Sequence, residues 1–531
     1  MPSDSPSLWR IGAETAREGY GLFLGNTIST IILAIGSIAI ARLLGSEGYG
    51  LYSLSLTIPS ILVLFTSLGI DQAIVKYASE YSSKQMHHYV REIFQASLLF
   101  KIGLGVIATT LLYISSDLLA STVLNRPYMG YLLKAASLLI LFQTIYTLCS
   151  NLFVGLGKAS LAGALATLQA IAKVSIIILL LLLGFGIWGA VFGHVFGYII
   201  AAVLGSIITF IITRSKSNEA VNDVHLLRRK LLKSLIVYGL PLYGSTILAV
   251  IVSQYNNIVL ANFASNAEIG SYAAAVNIST IILLVSTPIA TVLYPSFSRV
   301  DAVNKEELPR VFEIAVRYSM LLVVPTALFV STFSNALVEI IYGESFRFAA
   351  PYLSLYALFY SLYPLLLVEI SYFNGVGLPE KTFLTNLLIL LLVLPFSPML
   401  AIFLKVIGVI TSIIVANLVA MGYATHLIIS KQRIELGFKN LVKIYISAIL
   451  SAAIASLFTN ALALSSLPSL LLGGLIFILL YVTIITILGA LDKRDYINLR
   501  GMLGGLIIIG RIATMIIDYM EIVEGKLRRR S

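Results

Sequence analysis

Phe153-Val154-Gly155-Leu156-Gly157 recurs about 220 residues downstream as Phe373-Asn374-Gly375-Val376-Gly377, and Gly50-Leu51-Tyr52 recurs at the same interval as Gly270-Ser271-Tyr272. Tyr20-Gly21-Leu22 and Tyr238-Gly239-Leu240 keep nearly that spacing. Matches about 100 residues apart hold a common register only if every helix and loop between them agrees in length. The chain therefore reads as one six-helix plan used twice. Both copies are apolar, and internal repetition in a membrane protein points to a transporter of two lobes with its cargo between them.

Composition sets the class. Of 531 residues, 58% are hydrophobic and 11% charged, against roughly 25% charged in an average soluble domain. Such a chain cannot cover itself with polar surface, so lipid must solvate most of its exterior. Residues 1–19 are polar, carrying Arg10, Glu14, Arg17 and Glu18, and the first apolar run is long enough to remain as a span; no cleaved signal is expected. The single cysteine, Cys149, excludes an intrachain disulfide and a Cys-cluster metal site. Neither a metal nor a cofactor is expected.

A spanning helix needs about 20 mostly apolar residues. Fourteen such runs are read: 20–42, 49–70, 91–116, 129–155, 158–183, 187–213, 234–261, 268–297, 313–333, 350–375, 381–403, 406–430, 444–466 and 469–490. The fold class is an all-α polytopic membrane protein. Residues 1–213 form an N-lobe of helices one to six and residues 214–233 a basic cytoplasmic linker. Residues 234–430 form a C-lobe of helices seven to twelve, 444–490 add helices thirteen and fourteen, and 491–531 form a basic tail. The apolar run Met502 to Ile517, broken by Arg511, is short for a span and is expected to lie on the membrane surface. With the N-terminus inside, external segments hold only Arg42, Arg126, Arg347 and Lys405, and three lysines lie within spans; the rest of the 36 Lys and Arg fall inside. Both termini are therefore placed in the cytoplasm, and the net charge of +11 reads as topology and contact with lipid headgroups rather than nucleic-acid binding.

The repeated Gly-x-Gly pairs are expected to take positive φ and reverse the chain within a few residues, which exposes little polar backbone to lipid. Pro59, Pro241, Pro288, Pro325, Pro364 and Pro395 lie inside spans, where each removes a helical hydrogen bond and can bend its helix.

A family resemblance appears in the same places. Ala41-Arg-Leu-Leu-Gly-Ser-Glu-Gly-Tyr-Gly-Leu-Tyr52 resembles the loop opening the second helix of polysaccharide and O-antigen flippases, of the multidrug/oligosaccharidyl-lipid/polysaccharide exporter superfamily. Glu268-Ile-Gly-Ser-Tyr-Ala-Ala274 is similar to the matching loop before helix eight, and Ile341-Tyr-Gly343-Glu-Ser-Phe346 to the external turn before helix ten. The resemblance covers about residues 8–490. It implies a V-shaped carrier that passes a lipid-linked sugar headgroup across the bilayer by alternating access. Related sequences often carry an acidic residue late in helix seven, where this chain reads Gln254-Tyr-Asn-Asn257; the amides there put ion coupling at that position in doubt.

Charges inside the spans mark the candidate site. A mid-membrane lysine costs about 2.5–3.5 kcal/mol on insertion scales, so it should face water, a partner or a substrate. Lys101 lies about ten residues into helix three, near 15 Å by helical rise, and Lys173 lies similarly deep in helix five. Gln169 shares a face with Lys173. Their counterparts in the second repeat, Leu321 and Val393, are apolar, which assigns a cationic half-cavity to the N-lobe. Lysine ammonium groups suit a sugar–pyrophosphate headgroup, although snorkelling or an internal carboxylate partner is the alternative for each. Lys134 is read as interfacial, as are Asp71 and Arg42. Asn26, Gln143, Tyr146, Asn151, His194, Gln254, Asn256, Asn257 and Asn277 supply amides, a hydroxyl and an imidazole for sugar hydroxyls, or else hydrogen bonds between helices. Glu369, the one acidic residue well inside the second-lobe spans, is the coupling candidate as a proton carrier.

No phosphate-binding glycine loop, metal-spaced His cluster or nucleophile elbow is present, so no enzyme is read. The expected function is a flippase for polyprenyl- or dolichyl-pyrophosphate-linked oligosaccharide in the cytoplasmic membrane. It would act as a monomer, in contact with membrane lipids and glycan-assembly enzymes. The alternative is a cation-coupled exporter of small amphipathic compounds on the same fold.

Overall fold

The computed structural model describes residues 8–214, 224–432, 437–491, 493–503 and 509–528. Among them the regular structure is helical: α1 Leu8–Ser67, α2 Ile70–Ser83, α3 His87–Thr122, α4 Gly130–Gly155, α5 Ala159–Leu182, α6 Gly186–Arg214, α7 Val224–Phe263, α8 Asn266–Val303, α9 Leu308–Thr332, α10 Ser334–Tyr342, α11 Ala349–Tyr360, α12 Tyr363–Gly375, α13 Pro379–Gln432, α14 Phe438–Ala461, α15 Ser466–Ile487, α16 Lys493–Leu503 and α17 Ile509–Arg528.

Two of these helices are too long for one crossing. The 60 residues of α1 would extend about 90 Å at 1.5 Å per residue, three times the hydrocarbon thickness of about 30 Å. A single non-helical residue breaks each: Gly45 in α1 (φ 67, ψ 174) and Lys405 in the 54-residue α13 (φ 49, ψ −124). These are the turns expected after helices one and eleven. α11 and α12 meet at a 46° bend and together form the tenth span. So divided, the described helices accommodate the fourteen expected spans and give a multi-pass membrane protein.

The prolines behave unequally. Pro364 sits in the first turn of α12, just past that bend. Pro59, Pro325 and Pro395 lie inside continuous helix. The side chains of Pro241 and Pro288 lie outside the described set.

The two glycines of each repeated turn do different work, which corrects the expectation that both turn the chain. Only the second has positive φ, 69° at Gly157 and 75° at Gly377. The first ends its helix against another helix. A Cβ on Gly155 would lie 2.9 Å from the Val75 carbonyl oxygen, and one on Gly375 2.7 Å from the Phe297 Cβ.

The molecule divides into two compact units, Met1–Gly270 with Val393–Val409, and Ser271–Leu392 with Ile410–Ser531. In the first unit, α1 and α5 run parallel. Ser160 donates from its backbone N (2.9 Å) and Oγ (2.6 Å) to Glu18 Oε2, capping the start of α5 from α1. Two turns further on, Thr167 Oγ1 donates to the Gly25 carbonyl at 3.0 Å. α6 meets α5 along Gly189, Gly193 and Gly197, whose bare α-carbons face Leu180, Ile177 and Lys173 in turn, the close small-residue packing that membrane helices use. The Gly50 and Gly270 of the repeated motif face each other. A Cβ on either would lie 2.9 Å from the backbone N of the other. Ile70, Ile74, Ile93, Phe94, Leu148 and Phe153 fill this unit's core.

In the second unit Phe297, Phe312 and Tyr372 pack edge to face beneath Val324, Phe477 and Tyr481. α16 is anchored by Asp495, 1% exposed, whose Oδ1 accepts from Arg317 at 2.5 Å and from the Tyr318 hydroxyl at 2.7 Å. α17 packs Ile517 and Met520 into the same core, and Tyr519 Oη lies 2.9 Å from Thr483 Oγ1 on α15. Residues 504–508 of the expected surface helix, 215–223 of the linker and 529–531 of the tail lie outside the described residues.

Candidate functional site

The first unit brings a cation, an amide and an aromatic group together around α5 and α6. Gln169 and Lys173 lie one turn apart on α5, as their spacing predicts. The backbone of Lys173 is flush with Gly197, where a Cβ would approach the Lys173 Cβ to 2.6 Å. One turn before Gly197, His194 lies within electrostatic reach of the Lys173 ammonium. The Tyr52 hydroxyl sits 2.7 Å from His194 Nδ1. Tyr198 stacks on His194, with centroids 5.6 Å apart and planes at 22°, and Tyr146 meets Tyr198 edge-on at 5.5 Å. Lys173 is half-buried and makes no ion pair among the described residues. Gln169 is 5% exposed, and its Nε2 has no hydrogen-bond partner among them.

The other expected residues are placed differently. Lys101 is fully buried, and its Nζ lies 2.5 Å from Asp71 Oδ1. The other oxygen of Asp71 accepts from Ser67 Oγ at 2.7 Å. That carboxylate is thus a half-buried partner rather than an unpaired interfacial charge, and the ammonium of Lys101 is answered inside the protein. Asn256 is 1% exposed and uses both amide atoms internally, toward the Val252 carbonyl (2.9 Å) and from Ser397 Oγ (2.8 Å). Asn257 donates to Gln254 Oε1 at 3.2 Å, and Asn151 to the Thr147 carbonyl at 2.9 Å. Asn26 is exposed and Gln143 half-buried. Lys134 pairs with Asp117 at 2.7 Å near the end of α3. In the second unit Glu369 is fully buried. Its Oε1 accepts from Thr425 Oγ1, and its Oε2 has no partner among the described residues.

Two contacts carry information that single residues did not. The Tyr52–His194 bond joins positions 142 apart; the repeat flagged Tyr52 as a turn residue, and nothing in the sequence linked it to α6. Arg126, placed in an external loop, is 8% exposed and clasps the end of α7. It donates to Asn266 Oδ1 (2.6 Å), to the Ala264 carbonyl (2.8 Å) and to that of Ala261, as cations near helix C-termini do.

The family model described as polysaccharide biosynthesis protein matches residues 16–301. The chain belongs to this family. Among its relatives is the succinoglycan biosynthesis transport protein ExoT of Rhizobium meliloti, 24% identical over 369 residues, which cover 69% of this chain and 70% of that one. The probable low-salt glycan biosynthesis flippase Agl15 of Haloferax volcanii is 21% identical over 245 residues, 45% of this chain and 51% of the relative. The solved lipid II flippase MurJ in its inward closed conformation superposes with a TM-score of 0.71 at 16% identity, covering 90% of this chain and 99% of that one. At that identity the likeness establishes the fold, which is the transporter architecture expected from the repeat.

Proposed function

We propose that this protein translocates a lipid-linked oligosaccharide across the cytoplasmic membrane by alternating access between an N-lobe (1–213) and a C-lobe (234–430), joined by the basic linker 214–233. The observation that carries the reading is Lys173, a cation inside a span with no carboxylate partner among the described residues, beside the unpartnered amide of Gln169. An uncompensated charge in lipid is costly. A cargo that brings its own negative charge, such as a pyrophosphate bearing a sugar, compensates it for the length of the crossing. Tyr146, Gln143 and Asn26 in the N-lobe, and Gln254 and Asn257 in the C-lobe, are assigned to sugar hydroxyls; Lys101 and Asn256, engaged internally, hold helices in place around them. The relatives support this cargo, since their names include a glycan flippase and a polysaccharide transport protein. A site with a cation and no carboxylate partner for it among the described residues gives a coupling cation nothing to bind, which disfavours the other reading, a cation-coupled exporter of small amphipathic compounds. Both termini are placed in the cytoplasm, the protein works as a monomer feeding glycan-assembly enzymes, and Glu369 couples transport to protons.

The test is transport of lipid-pyrophosphoryl sugar in proteoliposomes. Lys173→Ala is expected to lower the rate at least about tenfold, the worth of one charged hydrogen bond, with folding and insertion intact. Lys173→Arg should retain more than Ala because it keeps the charge. Wild-type transport by Lys173→Ala overturns the role of this site.

A further inference from the structure

We infer that Tyr52 and His194 are part of the anion-binding machinery: Tyr52 locks the His194 imidazole in the tautomer whose Nε2 carries the proton, so that His194 and Lys173 together form a donor subsite for a diphosphate. The inference rests on the cargo reading above and adds the direction of the Tyr52–His194 bond, which neither the repeat nor the in-span charges supply.

The direction of the Tyr52–His194 bond follows from supply and demand. The Tyr52 side chain is buried, and His194 Nδ1, at 2.7 Å, is its hydroxyl's one partner among the described residues. If Nδ1 held the ring proton, the Tyr52 hydroxyl would accept that bond and its own hydrogen would be buried without an acceptor, which is costly. The hydroxyl therefore donates, Nδ1 accepts, and the proton of the neutral ring sits on Nε2. The ring plane is held as well, by Tyr198 stacked on it at 5.6 Å.

The neighbouring polar groups present hydrogens too. Lys173 has three donors and no acceptor, and its charge reaches the ring. Gln169 Nε2, in a side chain 5% exposed, donates to nothing among the described residues. Along α5 Gln169 lies one turn, about 6 Å of helical rise, before Lys173. His194 lies on its other side, because Gly193 packs on Ile177 and Gly197 on Lys173. Donors spread over a turn or more of helix suit the two phosphoryl groups of a diphosphate better than a lone phosphate, and they repel a cation. With the opposite tautomer, Nε2 would turn a lone pair toward the anion and oppose it. Tyr52 is thus a positioning residue acting through His194, and the pair sets selectivity for anionic cargo.

The first experiment reads the tautomer. The purified full-length protein, labelled with 15N-histidine and compared with His194→Gln to assign the signal, should show Nδ1 unprotonated and Nε2 protonated. A proton on Nδ1 in the wild type overturns the inference without reference to any ligand. The second reads binding in nanodiscs with farnesyl diphosphate as the probe and farnesol as the control for apolar contacts. Tyr52→Phe, which keeps the ring and removes the donor, should weaken the diphosphate roughly tenfold and leave farnesol unchanged. His194→Gln, which restores a donor near Nε2, should bind more tightly than His194→Leu. If Tyr52→Phe binds the diphosphate like wild type while Lys173→Ala is weakened, the tautomer lock fails and the cargo reading stands. If Lys173→Ala also binds like wild type, both fall.

Discussion

Lys101→Met separates a structural lysine from a transporting one. Methionine keeps most of the volume and removes the ammonium. Asp71 then retains the Ser67 hydroxyl at 2.7 Å but loses the 2.5 Å contact to Lys101, and with 16% side-chain exposure it has little water to turn to. Removing one partner of a buried ion pair costs about 3–5 kcal/mol because the other charge is stranded. The surviving hydroxyl bond and residual exposure place this case near the lower end, at about 3 kcal/mol. The pair lies beside the break between α1 and α2, where Leu68 and Gly69 both have positive φ (43° and 78°), so the loss should loosen the first turn of α2. Adding Asp71→Asn removes the stranded charge and should return stability to within about 1 kcal/mol of wild type. The assay is a double-mutant cycle: unfolding of the four proteins in detergent, with transport measured on each. A Lys101→Met protein as stable as wild type yet dead in transport would refute the structural assignment, as would a double mutant no better than the single.

Gly270→Ala should cost about 1–3 kcal/mol through overpacking against Gly50, whereas Gly103→Ala, with nothing within 4 Å of the added carbon, should leave melting unchanged; equal melting points for the two would contradict the packing described. Glu369→Gln mimics the protonated acid, and transport by this variant is expected to lose its dependence on an imposed pH gradient in proteoliposomes. An unchanged gradient response would return Glu369 to a structural role. In a Cys149→Ala background, cysteine at Ser265 or Ser345 should react with an impermeant reagent outside sealed cells and cysteine at Ser430 should not; labelling at Ser430 reverses the orientation.

The architecture is legible in the sequence because apolar length and repeat register are local, additive signals. The Gly157 and Gly377 turns and the break near residue 405 all fall between the apolar runs. Contacts that depend on helix rotation were out of reach. Lys101 is visible as a charge in lipid, but its partner lies 30 residues back in sequence, on the preceding helix α2. Asn256 looks like a sugar ligand until Ser397, 141 residues away, is seen to take its oxygen. Gln169 and Lys173 were legible as a pair because one helix face is periodic. His194 and Tyr52 were not, since they belong to different helices and only packing at Gly193 and Gly197 sets their level.

The contact of Gly50 with Gly270 has the form of an isologous dimer interface contained in one polypeptide. A Cβ on Gly50 would run into the Asn266 carbonyl, and one on Gly270 into that of Ser46, each the same turn earlier in its own copy. A side chain at this position in either copy therefore meets the backbone of the other, and one in both copies strikes the contact twice. Away from the seam the two copies differ, one carrying Lys173 and the other Glu369, while the seam itself holds the smallest residue on both sides.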